Sequence, residues 1–396
     1  MSSWIACLLE ATKDAETPTN YLYWAGIATI SAVISPNVWI NRGGVYKLSP
    51  NVFIMLIGES GLGKGLPINI AKNLVRIVDN TRVIAGRNTI QAIIRDLSQS
   101  ETNEKNGVPK FKDARGFIVS GEFATLLQED KSALPVLTEF YDSHYMSKWV
   151  NTTKTAGIDI LEGVNITLFG GSTPEHFNNV VPETDIHGGF VGRLLTVYSE
   201  ERSKVNPLSD TEMINEFPYA KLSEHLTLIS QLKGPFHFRD DSKIEWEKWY
   251  RDIRTRKIHD PTGAVNRLPD NVLKVSICLS LSRGVELIIH KEDLEEAIEK
   301  CMELTIESKR LTEGKGKSEL AEGAKLVMRT LIRAEGHKVK KSKILSLNYG
   351  AFDIYELDRI IQTLETAELV FCSHEDGIVI NMHSTAVENI KKFVER

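Results

Sequence analysis

One stretch limits what this chain can fold into more than any other: NVFIMLIGESGLGKG, residues 51–65. NVFIMLIG is an unbroken apolar run of strand length, as expected for a strand covered on both faces of a parallel sheet. GESGLGKG follows at once, and an amphipathic stretch from Lys64 to about Val78 predicts a helix behind it. Strand, glycine loop and helix in that order make a phosphate-binding turn. Glycines let backbone N–H groups point inward, the helix start favours anions, and a lysine neutralises charge. Gly58, Gly63 and Lys64 satisfy G-x-x-x-x-G-K-[ST], so Gly58, Glu59, Ser60, Gly61, Leu62, Gly63, Lys64 and Gly65 are the expected nucleotide-binding loop. The last position departs from the pattern, with Gly65 where a hydroxyl ordinarily holds magnesium.

A loop of this kind needs a carboxylate to polarise the attacking water. GFIVSGEF (116–123) supplies one: a short apolar strand ends in Glu122, about 60 residues after the loop. The residue before such a glutamate is usually an aspartate that orders magnesium, and here it is Gly121, preceded by Ser120. Magnesium is therefore expected on the nucleotide phosphates and water, helped by Ser60, Ser120 or Glu122, with no dedicated metal site in the protein. VNITLFGGSTPEHF puts Ser172 and Thr173 at the end of another strand, where a hydroxyl can sense a terminal phosphate; Ser-Thr-Pro is also an ordinary strand exit. In GGFVGRLLTVY, Arg193 opens a further apolar strand. Its guanidinium suits the phosphates of an adjacent subunit, or equally a surface ion pair.

Alternating strands and helices around the loop predict an α/β core with a parallel sheet over residues 49–205. Residues 1–48 form an N-terminal helical segment closed by a short strand pair at VWINRGGVYKL, and 206–312 are mostly helical. After the polar linker TEGKGKSE, residues 318–396 show three helical stretches and then LVFCSHEDGIVI, two strands around Asp376-Gly377. Helices followed by a hairpin in so short a segment is the plan of a winged helix. At 396 residues several domains are expected, and 42% hydrophobic with 26% charged residues is ordinary for a soluble protein. Four scattered cysteines without a C-x-x-C pair argue against a zinc site or disulfide framework and suit the cytoplasm. The N-terminus carries no signal-peptide pattern, and YLYWAGIATISAVI is too short to span a bilayer, so no membrane association is expected.

Taken in order, GESGLGKG, IVSGEF, LFGGSTPE and GGFVGRLL resemble the motifs of AAA+ ATPases of the minichromosome-maintenance helicase type. SPNVFIMLIGESGLGKG with the upstream YLYWAGIATISAVIS and VWINRG resembles the YfjI-like phage and prophage P-loop proteins over roughly residues 18–200. The resemblance implies an AAA+ core, a helical lid over 206–312, and ATP with magnesium as cofactors. It implies Lys64 on the phosphates, Glu122 as catalytic base, Thr173 as first sensor, Arg193 as arginine finger and Arg267 as second sensor. It further implies a ring, as in a hexamer, acting on DNA, with a replicative helicase of a phage or mobile element as the leading function. A helicase loader or initiator ATPase shares the fold, and a non-hydrolysing nucleotide-binding scaffold is favoured by Gly65 and Gly121.

A net charge of −5 neither advertises nor excludes nucleic acid, since a ring can be acidic outside and basic in its channel. KNGVPKFKDAR offers Lys105, Lys110, Lys112 and Arg115 with Phe111, against Asp113, and MSKWVNTTKT offers Lys148, Trp149 and Lys154. Basic residues beside an aromatic suit tracking and stacking on single-stranded or forked DNA, although hairpin tips are often simply solvated. In the winged-helix segment, DIYELDRIIQTLETAE sets Asp353, Glu356, Asp358, Glu365 and Glu368 against Arg359, so phosphate is repelled there. HKVKKSK (337–343) is the basic alternative, and docking of a replication protein partner fits the segment as well.

Overall fold

The computed structural model describes residues 3–86, 88–98, 113–123, 132–142, 148–153, 157–180, 189–206, 217–256, 260, 262–312, 319–374 and 377–383. They fall into two compact units, Met1–Thr312 and Glu313–Arg396. The first opens with helices α1 (Trp4–Ala11) and α2 (Thr19–Ile34) and the antiparallel pair β1 (Val38–Arg42) and β2 (Tyr46–Leu48). β3 (Phe53–Ile57), α3 (Gly65–Val78), β4 (Arg82–Ala85), α4 (Ile90–Ser98) and β5 (Arg115–Ser120) follow. Next come α5 (Ala133–Tyr141), the ribbon β6 (Lys148–Thr153) and β7 (Gly157–Glu162), β8 (Asn165–Ser172), α6 (Pro174–Val180) and β9 (Leu194–Tyr198). Helices α7 (Tyr219–Ser230), α8 (Asp240–Thr255), α9 (Ala264–Arg283) and α10 (Lys291–Thr312) complete the unit. Three two-residue strands interleave them: β10 (Gly234–Pro235), β11 (His237–Phe238) and β12 (Ile288–Ile289).

Five strands form one parallel sheet in the order β4-β5-β8-β3-β9. All five residues of β3 are buried, and alternate ones belong to different cores. Ile54 and Leu56 pack with α2, α3, α9 and α10, whereas Phe53, Met55 and Ile57 pack with α4 and α5. Helices on both faces are why NVFIMLIG is apolar without alternation. In register, Ile57 stands beside Ser172 of β8 and Tyr198 of β9, so these three strands end level. α2 is buried on nearly every side, and its buried Ser31 is satisfied: Oγ donates to Pro50 O at 2.8 Å and accepts from Val52 N at 3.2 Å. That tether fixes the start of β3. The N-terminal helices and α7 to α10 share one hydrophobic core with the sheet. Among the described residues no helix is long and apolar enough to cross a membrane.

The second unit contains α11 (Glu319–Arg333), β13 (Lys338–Lys340), α12 (Lys341–Leu347), α13 (Ile354–Thr366), β14 (Val370–His374) and β15 (Ile378–Met382). Its sheet is antiparallel, in the order β13-β15-β14. Two strands are expected here from the sequence and three are present; the third, β13, lies within the basic run HKVKKSK. Lys338 and Lys340 are exposed on either side of buried Val339, a period of two too short to stand out among lysines. α13 begins with a capping box: Asp353 accepts from the backbone of Tyr355 and Glu356, and Glu356 accepts in return from Asp353 N. Two of the acids that colour this helix therefore have a local structural task. A third, Asp358, pairs with Lys341.

Candidate functional site

The glycine loop sits where β3 ends and α3 begins, at the carboxyl edge of the sheet. Gly61 and Gly63 have φ of 84° and 85°, the left-handed region that only glycine enters without strain. The loop is held from the N-terminal segment: Tyr21 OH donates to Ile57 O at 2.6 Å and Thr17 Oγ1 to Gly63 O at 3.1 Å. From the next strand, Ser172 O accepts from Gly58 N at 3.3 Å. Glu59, Ser60 and Gly61 are exposed at the crest, while Leu62 is buried beneath them. Lys64 folds back over its own loop, its Nζ donating to Gly58 O at 2.6 Å and Glu59 O at 2.8 Å. Partial burial lowers the Lys64 pKa, and the nearby carboxylates of Glu122 and Glu59 work against that shift.

Glu122 comes to the same edge by a different route. Because β8 lies between β3 and β5, the ends of these strands approach across β8, and two glycines there make room. A Cβ on Gly171 would sit 3.1 Å from Gly121 O and 3.5 Å from Lys64 Cβ; one on Gly170 would sit 3.1 Å from Phe123 Cβ. Gly170-Gly171 thus lets the Glu122 turn close over the strand toward Lys64. Glu122 itself is exposed. Thr173 lies at the end of β8, and its Oγ1 accepts from His176 N at 3.2 Å, so the hydroxyl caps α6 while facing the same edge.

Gly65 and Gly121 are not glycine for lack of space. Neither Gly65 nor Gly121 has a left-handed φ, and a Cβ on either would meet nothing within 4 Å. Among the described residues no cluster of three His, Cys, Asp or Glu side chains is placed to hold a metal.

Arg193 and Arg267 lie elsewhere. Arg193 directly precedes β9, whose first residue, Leu194, pairs with Phe53 at the start of β3. It is therefore at the amino edge of the sheet, a five-residue strand away from the loop, or about 16 Å by strand rise. The chain's own Lys64 is out of its reach. Arg193 is buried: Nη1 donates to Gly189 O at 2.7 Å, Nη2 binds Asp142, and Nε has no partner. A Cβ on Gly189 would lie 2.9 Å from an Arg193 nitrogen and 3.0 Å from one of Arg267, so the two cations are near neighbours. Burial and the charge of Arg193 both lower the Arg267 pKa. The two arginines line a cavity of about 430 Å³ with Tyr141, Asp142, Asp270 and Lys274.

Lys274 was not among the residues singled out from sequence, though a lone lysine in VLKVSICLSL was the available signal. It is fully buried, its Nζ donating to Asn51 O at 2.8 Å and Asn51 Oδ1 at 3.0 Å, 3.7 Å from the centre of the Tyr141 ring. Burial pushes its pKa down to about 7.

Of the residues expected to meet DNA, Lys105, Lys110, Lys112 and Lys154 lie outside the described residues. Lys148 and Trp149 are on β6, but not as a free basic-aromatic tip. Lys148 pairs with Glu162 at 3.2 Å. Trp149 packs edge-on against Phe140, ring centres 5.1 Å apart, and its Nε1 donates to Glu139 at 2.5 Å. The indole anchors the ribbon to α5, and the ribbon's exposed apolar side chains are Val150, Ile158 and Ile160. Arg115, also counted in the basic insert, is bound to Asp113 at 2.6 Å. No protein-family model matches this chain, and no match was found among curated protein sequences.

Proposed function

We propose that this chain is an ATPase that works as a ring, with triphosphate bound at the carboxyl edge of one protomer and the amino edge of the next completing the site. The observation that carries this reading is the division of labour between the edges. Lys64, Glu122 and Thr173 gather at one, while Arg193 and Arg267 gather at the other, beyond reach of the same chain's loop. An AAA+ core with α9 and α10 as lid, and a winged helix in the second unit, is the fold reading that accords with this arrangement.

In this scheme Lys64 exchanges its loop carbonyls for phosphate oxygens, and Glu122 takes the proton of the attacking water. Thr173 orients that water or the terminal phosphate through its hydroxyl proton, one of its two lone pairs being engaged at His176 N. Arg193 of the neighbour, on exchanging Asp142 for phosphate, meets the charge that develops on the transferred group. Magnesium, when present, comes with the nucleotide and neutralises phosphate charge. The work done is movement along single-stranded or forked DNA.

Complementation tests the central point. Lys64→Ala and Arg193→Ala should each abolish ATP turnover, yet mixed together they form interfaces in which an intact Lys64 faces an intact Arg193. Recovered turnover is the expected result. A mixture no better than either variant alone would remove the shared site. Glu122→Gln should retain ATP and stall both turnover and strand displacement on a forked substrate. A second reading, a non-hydrolysing scaffold, draws on Gly65 and Gly121; it is favoured if wild type and Glu122→Gln bind ATP and are equally inert.

A further inference from the structure

Beside the glycine loop stands a cation that no motif pointed to. Arg202 lies four residues past the end of β9, and its Nη2 donates to Gly61 O, at the crest of the loop, at 3.2 Å. Its Nη1 binds Glu16 Oε2. Glu16 Oε1 accepts from Asn206 N at 2.8 Å, and Ser203 Oγ accepts from Thr19 N at 2.6 Å. Two segments 186 residues apart in sequence are thereby pinned to one another along the lip of the loop. The Arg202 side chain is 47% exposed, so this is not a core ion pair serving only the fold.

The two cations at the loop share a feature. Lys64 rests on Gly58 O and Glu59 O, and Arg202 on Gly61 O. Neutral carbonyls are weaker acceptors than phosphate oxygens, and a guanidinium fork matches phosphate with two parallel bonds. The carbonyls therefore act as stand-ins. Gly65 and Gly121, meanwhile, leave the site without the side chains that would fix a divalent cation.

We propose that Arg202 is a phosphate-binding residue of the chain's own nucleotide site and, with Lys64, supplies the positive charge that a protein-held metal would otherwise bring. The inference rests on the nucleotide-site reading above. On binding a nucleoside di- or triphosphate, Arg202 gives up Gly61 O for a phosphate oxygen. Nucleotide affinity should then depend little on divalent metal.

The test is equilibrium titration of the full chain with a fluorescent ADP analogue, in magnesium and in EDTA. Wild type should bind in both, with less than about a tenfold difference between them. Arg202→Ala should weaken binding in EDTA by about tenfold or more, as expected for loss of one charge-assisted hydrogen bond. Arg202→Lys should fall between the two. Glu16→Gln, which loosens the clamp but keeps the cation, should bind within about threefold of wild type. Unchanged affinity of Arg202→Ala in EDTA overturns the proposal. So does an equal loss in Glu16→Gln, which would make Arg202 a structural clamp. If Lys64→Ala loses binding while Arg202→Ala does not, only this inference fails; if wild type binds no nucleotide, the site reading fails with it.

Discussion

Replacing Lys274 with methionine should remove a pH dependence from the stability of the first unit. The folded amine has a pKa of about 7, against 10.5 when free. Burial is the main cause; Asp270 and Asp142 oppose it, and Arg193 adds to it. Between about pH 7 and pH 10.5 the unfolded chain carries a proton that the folded chain sheds. Stability therefore rises with pH across that window and is lost as pH falls through 7. Each pH unit well inside it is worth about 1.4 kcal/mol, so wild type should gain about 2 kcal/mol between pH 7 and pH 9. Methionine fills similar volume and does not titrate, but strands Asn51 O and Oδ1, at a cost of about 1–3 kcal/mol. Urea unfolding followed by tryptophan fluorescence is the assay, because all six tryptophans lie in the first unit. Other titrating groups cancel in the difference between wild type and variant. That difference should grow by about 2 kcal/mol from pH 7 to pH 9, and a constant difference would refute the reasoning.

Gly65→Thr has open space to enter; it should raise stability by a few tenths of a kcal/mol and make ATP turnover more responsive to magnesium. An unaltered metal response would show that the missing hydroxyl is not what limits the site. Asp142→Ala leaves buried Arg193 without its counter-charge. Since Asp142 is one-third exposed, the expected loss is about 3 kcal/mol, the low end for such a break, read as a shift of the urea midpoint. Asp353→Ala should cost about 1 kcal/mol through the lost capping box, seen by circular dichroism or amide exchange in α13, with the tryptophan signal unmoved.

What could be read beforehand was whatever is written locally. The apolar run of β3, the glycines of the loop and the strand ending at Glu122 each declare themselves within ten residues. The alternating faces of the sheet followed from them. The contacts of Trp149 were not legible, because an aromatic between polar residues in a hairpin looks the same in sequence whether or not its indole packs on Phe140 and bonds Glu139. Arg193 was legible as a residue but not in its surroundings, since Asp142 and Gly189 reach it only through the packing of α5 and the turn before β9. Arg202 was illegible for a related reason: its meaning comes from Glu16 and Gly61, at opposite ends of an assembled lip. The capping box at Asp353 was visible in the letters but was read as charge rather than as a helix signal.

Placing β8 between β3 and β5 has a metric consequence. Hydrogen-bonded strands are spaced about 4.8 Å apart, so second neighbours stand about 9.6 Å apart. The ends of β3 and β5, from which the glycine loop and the Glu122 turn depart, are held at that spacing by the sheet as the jaws of a caliper are held by its beam.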